Sequence, residues 1–159
     1  MGREKYARPD RRPAVVTGAS SGIGAATALT LAAGGYPVAV GARREDRLTD
    51  LVQRIRDAGG EAVAHPLDVS STESVEEFAA EVTADLGEVE VVVSAAAQLA
   101  PGTLHEVDSD RIARELDVNV VGTHRLVRAF VPGMVQRRRG DLVIVSSDVA
   151  VRARPFMGA

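Results

Sequence analysis

The segment Thr17-Gly18-Ala19-Ser20-Ser21-Gly22-Ile23-Gly24 comes directly after the apolar run Ala14-Val15-Val16 and directly before an alanine-rich helical stretch. Few chain geometries accept that succession. A buried strand that turns tightly into a helix needs glycine where the backbone bends and where the two elements come close. In such a unit Gly18 permits the turn, Gly22 lets the backbone approach a pyrophosphate, and Gly24 lets helix and strand pack closely. The N–H groups at the helix start then face the anion. Gly18, Ser20, Ser21, Gly22, Ile23 and Gly24 are therefore the first candidate cofactor-binding residues. The plainer alternative is an ordinary glycine-rich strand-to-helix turn, and the strand before it and helix after it favour the phosphate reading.

No charged residue occurs from Pro13 to Ala42, after a start that is basic at Arg8, Arg11 and Arg12. By length alone this stretch would suit a membrane span. Its six glycines, Pro37 and the interruption at residues 17–22 argue against both a span and a secretory signal. A strand covered on both faces, followed by a buried helix, is equally free of charge. Composition removes other classes. A balance of 19 basic and 22 acidic residues gives no field that would draw nucleic acid or a membrane surface. The absence of cysteine excludes a disulfide scaffold, a zinc ribbon and a thiol nucleophile, and fits a reducing, cytoplasmic setting. Aromatic residues make up 3% of the chain, too few for a base-stacking platform.

Residues 1–12 read as a flexible basic leader, and 13–159 as one domain. Within that domain short β-branched runs alternate with helical patterns. The runs are Ala14 to Val16, Val38 to Val40, Ala62 to Ala64, Val89 to Val93, and Leu142 to Val145. Each is short and almost wholly apolar, as in parallel strands buried on both faces. Between the third and fourth runs, Ser70-Ser71-Thr72-Glu73 reads as a capping box, followed by a helix face of Val75, Phe78, Ala79, Val82 and Leu86 that Gly87 ends. A longer helix starts near Asp108 or Ser109, with Ile112, Leu116, Asn119, Thr123, Leu126 and Phe130 on its buried stripe and Pro132-Gly133 disturbing its end. The alternation predicts a doubly wound α/β fold of Rossmann type, a parallel sheet of about five strands in the order 3-2-1-4-5.

The pattern T-G-x-x-x-G-I-G resembles that of the short-chain dehydrogenase/reductase family, and the resemblance extends over nearly everything after the leader. Asp68-Val69 after the third strand resembles the family's pair beside the adenine. Asn119 in N-V-x-G resembles its helix asparagine, and Gly140 to Ser147 (G-D-L-V-I-V-S-S) resembles the segment ending in its catalytic serine. One motif departs: the family's N-N-A-G after the fourth strand reads Ser94-Ala95-Ala96-Ala97 here. The resemblance still implies that Ser94, Ala95 and Ala96 line the nicotinamide side of a cleft. It also implies that Ser147 hydrogen-bonds a substrate carbonyl and that Asn119 supports a water at the active site. A satisfied core asparagine or a helix kink is the alternative for Asn119.

About 20 residues beyond the glycines an NAD-preferring site carries an acid for the ribose 2′-OH. That position is Ala42, followed by Arg43 and Arg44, which suit a 2′-phosphate. NADP is expected over NAD, unless the two arginines pair with Glu45 or Asp46. The family's proton donor is a tyrosine in Y-x-x-x-K. The chain has neither at the required place, which falls immediately past Ala159; its tyrosines are Tyr6 and Tyr36 and its single lysine is Lys5. The expected function is NADP(H)-dependent hydride transfer to or from a small carbonyl or alcohol substrate, by a fold incomplete at its C-terminus and inactive as these 159 residues. A non-catalytic dinucleotide-binding or interaction protein is the alternative. Homo-oligomerisation through the helix near 109–131 is a further expectation. The histidines, His65, His105 and His124, suggest no metal site by spacing. Arg137-Arg138-Arg139 reads as a helix C-terminus in preference to a nucleic-acid patch.

Overall fold

The computed structural model describes residues 11–99, 101–103, 105–150 and 152. Its five strands are β1 (Ala14–Thr17), β2 (Val38–Ala42), β3 (Ala62–Pro66), β4 (Val91–Ser94) and β5 (Asp141–Ile144). They form one parallel sheet in the order β3-β2-β1-β4-β5. The helices are α1 (Gly22–Ala33), α2 (Glu45–Asp57), α3 (Thr72–Leu86), α4 (Ser109–Leu116) and α5 (Gly122–Arg137), with a π-helical turn, Asp117–Val121, joining the last two.

Period-two alternation divides the core. Ala14 and Val16 of β1 pack with Val38 and Val40 of β2 against Ala28 of α1 and Leu48, Leu51 and Ile55 of α2. Val15, Ala39 and Val92 face the other way, onto Phe78 and Val82 of α3 and Leu126 and Phe130 of α5. There Phe78 and Phe130 meet edge to face, their centroids 6.5 Å apart. β1 and β2 are buried along their whole length, as their lack of charge requires, whereas all four residues of β5 are exposed.

Several local details differ from the sequence reading. The N-cap of α3 is Ser71, whose side chain accepts from the Ser74 N–H, and Ser70 instead bonds Asp68. No Ser70–Glu73 capping box forms. Leu116 is 54% exposed, and Glu115 is buried in its neighbourhood. The cause is the π-turn, whose inserted residue rotates α4 relative to α5 by about 100°. α5 also runs through Pro132 to Arg137 without a break. Met134, beyond the proline, is buried against the second half of the core, and that burial offsets the missing backbone bond.

Arg11 and Arg12, at the end of the expected leader, are bound into the domain; residues 1–10 lie outside the described residues. Arg12 is 8% exposed, and its guanidinium bonds Glu90 at 2.9 Å and Asp141 at 2.7 Å. Arg139 reaches Glu90 as well, at 2.7 Å. The N-terminal edges of β1, β4 and β5 are thus joined by a charged cluster. Hydrogen bonds to Asp141 and Glu90 raise the Arg12 pKa above its ordinary value. Arg137 is engaged by Glu88 and the Val89 carbonyl, so two of the three consecutive arginines are held in ion pairs at this edge.

Candidate functional site

At the opposite, C-terminal edge of the sheet the loops enclose a cleft of about 1030 Å³. Its walls bring together the residues singled out in the sequence: Gly18, Ser20, Ser21, Gly22, Ile23 and Gly24; Arg43 and Arg44; Asp68 and Val69; Ser94, Ala95 and Ala96; Asn119; and Ser147. They come from six separate segments: five lie at or just beyond the ends of the five strands, and Asn119 comes from the π-turn.

The glycine turn forms the start of α1. Ser21 is the N-cap but makes no side-chain cap bond, and the first turn carries no acid. Its N–H groups are the kind of orphan donors that favour an anion at a helix N-terminus. Gly22, at φ 55°, has open space where a side chain would stand. A backbone that bare, at a helix start, fits a pyrophosphate.

Arg44 lies across this turn. Its Nη2 donates to the hydroxyls of Ser20 and Ser21, each at 2.9 Å, and its Nε to Ser20 at 3.2 Å. The pairing with Asp46 that the sequence left open is not made; Asp46 meets Arg47 at 3.7 Å. Arg43 instead contributes a favourable field at Asp68. The Asp68 carboxyl is held below the usual carboxylate range, chiefly by the Ser70 hydroxyl at 2.6 Å, then by the Ser70 N–H, against an opposing effect of burial. Arg43 and Arg125 add to the lowering.

The exit of β4 is steadied from outside, although Ser94-Ala95-Ala96-Ala97 has no asparagine. The fully buried Thr17 hydroxyl accepts the N–H groups of Ala95 at 3.1 Å and Ala96 at 3.3 Å. Ser94 shares a hydrogen bond with Thr123 at 3.0 Å. Asn119 secures the next residues: its Oδ1 accepts from the Gln98 N–H and its Nδ2 donates to the Gln98 carbonyl, both at 2.8 Å. Its side chain is therefore satisfied by backbone and sits within a distorted helix, while its carbonyl accepts from the Thr123 hydroxyl at 3.0 Å. Thr17, Gln98 and Thr123 escape a reading by spacing, since each acts on a residue remote in sequence. The position of Thr17, at the last residue of β1 before the turn, was the available signal.

Ser147 stands beyond the end of β5, exposed at the cleft. Its Oγ has two long contacts, accepting from the Val149 N–H at 3.4 Å and donating to Asp148 at 3.5 Å. The hydroxyl is thus lightly held and open to a ligand. Tyr36 packs on the α1 side of the core, away from the cleft, while Tyr6 and Lys5 lie outside the described residues. His65 is placed between Glu81 at 3.1 Å and Asp85 at 2.9 Å. Among the described residues no group of three or more metal-ligating side chains converges, and no helix is long and apolar enough to cross a membrane.

Comparison with known proteins follows the same lines. Residues 12–159 match the profile of the short chain dehydrogenase family. A short chain dehydrogenase of Pseudocercospora fijiensis is 38% identical over 150 residues, covering 93% of this chain and 48% of that protein. An alcohol dehydrogenase from the archaeon Thermococcus sibiricus, solved with 5-hydroxy-NADP, superposes with a TM-score of 0.88 at 38% identity, over 94% of this chain and 63% of that one. A short chain dehydrogenase/reductase from Burkholderia phymatum, solved with NAD, gives a TM-score of 0.89 at 31% identity, over 94% and 53%. The chain thus spans about half the length of most of the curated relatives it matches.

Proposed function

The chain belongs to the short-chain dehydrogenase family, and from that premise we propose that its cleft binds NADP(H) for hydride transfer to or from a small carbonyl or alcohol substrate. The observation that carries the choice of NADP is the end of β2. Ala42, where an acid would hold a ribose 2′-OH, is buried and uncharged, and Arg43 and Arg44 follow it on the cleft wall. A 2′-phosphate is met there by guanidinium groups and by the Ser20 and Ser21 hydroxyls that Arg44 orients.

The bare first turn of α1 receives the pyrophosphate, and Asp68 and Val69 border the adenine. Ser94, Ala95 and Ala96 line the nicotinamide end. When bound, the dinucleotide supplies or accepts the hydride. Ser147 then orients and polarises the substrate oxygen, and the Asn119 segment, fixed to Gln98, shapes the wall beside it. A serine hydroxyl is too weak an acid to protonate that oxygen, and these 159 residues hold no Tyr-x-x-x-Lys. We therefore assign nucleotide binding without turnover to the 159-residue chain itself. The exposed Leu116, Val120, Val121 and Val135 support homo-oligomerisation along the α4–α5 helices, and the lack of cysteine supports a cytoplasmic setting.

Titration with NADPH and NADH, followed by nucleotide fluorescence, tests the assignment. NADPH should bind more tightly, and Arg43→Ala should remove about 1–3 kcal/mol of the preference, the worth of a charged hydrogen bond. Equal affinities for the two nucleotides in the unmutated chain would refute it.

A further inference from the structure

Arg125 lies in the first turns of α5 with 18% of its side chain exposed, and its guanidinium serves three partners at once. Nη1 donates to the Val69 carbonyl at 3.0 Å, Nε to the Thr72 hydroxyl at 3.2 Å, and Nη2 to Asp117 Oδ1 at 2.9 Å. The first partner lies in the loop between β3 and α3 that carries Asp68, and the second is the first residue of α3. The third is the first residue of the π-turn that contains Asn119.

Side chains on a helix lean toward its N-terminus, so Arg125 reaches back across the whole π-turn to Asp117. Such turns are rare, occur mostly as single-turn bulges within α-helices, and are frequent at functional sites. The loop is seated on the helix as well: a Cβ at Gly122 would stand 2.9 Å from Val69 Cγ2 and 3.0 Å from its carbonyl. On the far side Asn119 grips Gln98, so the π-turn is fastened between the Asp68–Val69 loop and the exit of β4.

We infer that Arg125 is a positioning residue that couples these two walls, so that nucleotide contact at the Asp68–Val69 loop is passed to the segment holding Asn119. The coupling to nucleotide rests on the binding proposed above; the clamp itself does not. Hydrogen–deuterium exchange on the 159-residue chain, with and without NADPH, separates the two. Arg125→Met keeps the stem and removes all the donors. Without nucleotide it should raise exchange across residues 117–123 about tenfold while leaving β1 and α1 unchanged, as expected for a lost charged hydrogen bond that acts locally. Arg125→Lys, which keeps one charged donor and loses the fork, should fall between and provides the test if the methionine variant does not fold. With NADPH, the unmutated chain should gain protection at 18–24, 68–72 and 117–123, and Arg125→Met at the first two alone.

Unchanged exchange of 117–123 in either variant without nucleotide overturns the clamp. A uniform rise over all segments does so too, since it marks a general stabilising role. NADPH protection of 117–123 that survives in Arg125→Met overturns the coupling. A lack of NADPH protection at 18–24 in the unmutated chain refutes nucleotide binding and the coupling with it, while the nucleotide-free comparison still decides the clamp.

Discussion

Replacing the glycines of the first turn one at a time by alanine should give three different penalties, because the structure surrounds each differently. Gly18 combines a φ of 65° with a backbone wall: an added Cβ would stand 2.6 Å from the Ala95 carbonyl oxygen and 2.7 Å from Ala96 Cα. A left-handed alanine costs about 1–2 kcal/mol and overpacking against backbone about 1–3 kcal/mol, so Gly18→Ala should lose about 2–5 kcal/mol. That is a large share of the roughly 5–15 kcal/mol that holds a domain together. Gly24 is helical, where alanine gains about 1 kcal/mol, but its Cβ would meet the Gly18 carbonyl oxygen at 2.5 Å, leaving a net loss of up to about 2 kcal/mol. Gly22 has φ 55° and open space around it, so Gly22→Ala should cost only the left-handed penalty of about 1–2 kcal/mol. In the binding mode proposed above its methyl group would project toward the pyrophosphate, and nucleotide binding should suffer most in this variant for each kcal/mol of stability lost. Urea unfolding followed by circular dichroism gives the stabilities, and NADPH titration gives the affinities. If Gly22→Ala unfolds as readily as Gly18→Ala, or binds NADPH like the unmutated chain, the reasoning from these contacts is wrong.

The lowered Asp68 pKa carries a pH signature. A carboxylate stabilised in the folded state contributes stability above its unfolded pKa of about 3.9, and the contribution is lost as pH falls through the folded value. Ser70→Ala removes the largest cause, so stability should drop by about 1 kcal/mol near neutral pH, a value limited by solvent screening, and the difference should fade below about pH 4. A pH-independent difference in unfolding free energy would count against this. At the sheet edge, Leu142, Val143 and Ile144 are 39%, 48% and 53% exposed on a strand paired along one side. Exposed strands of this kind promote association. The unmutated 159-residue chain should therefore sediment faster as concentration rises, and Val143→Lys should flatten that dependence; identical sedimentation of the two would remove β5 as the cause.

What could be read from the sequence was whatever depended on near neighbours. The strands showed as apolar runs because both sheet faces are covered, and the turn at Gly18 to Gly24 showed because backbone sterics leave few alternatives to glycine. The strand order followed once those elements were joined by helices. The errors have two physical origins: local bonding and helix irregularity that residue spacing does not show, and side chains acting across the fold. Ser70 looks like a helix cap until Asp68 is seen to claim it. Leu116 belongs to an apolar stripe until the π-turn rotates it outward. Arg12 looks like part of a basic leader, yet its partners are Glu90 and Asp141, far along the chain. Spacing cannot reveal Arg125, since its value lies in joining Val69, Thr72 and Asp117.

The two ends of the sheet are held by different chemistry, and the difference bears on function. At the N-terminal edge, full charges cross between strands: Arg12 with Glu90 and Asp141, and Arg139 with Glu90. At the C-terminal edge, the exit of β4 is braced by neutral groups, Thr17 to Ala95 and Ala96, Ser94 to Thr123, and Asn119 to Gln98, while the ion pair of Arg125 with Asp117 ties the π-turn to the Val69 loop. A carboxylate used as a brace there would repel an incoming phosphate across a low-dielectric cleft. Hydroxyls and an amide brace the strand exits without adding a field. Asp68, an acid on that wall, accepts hydrogen bonds from Ser70, and the charges of Arg43 and Arg125 compensate it. The basic groups thus set the field on the β2 side of the cleft, and the neutral braces leave it intact. Rigidity and the anion affinity proposed above can coexist at this edge because different residues provide them.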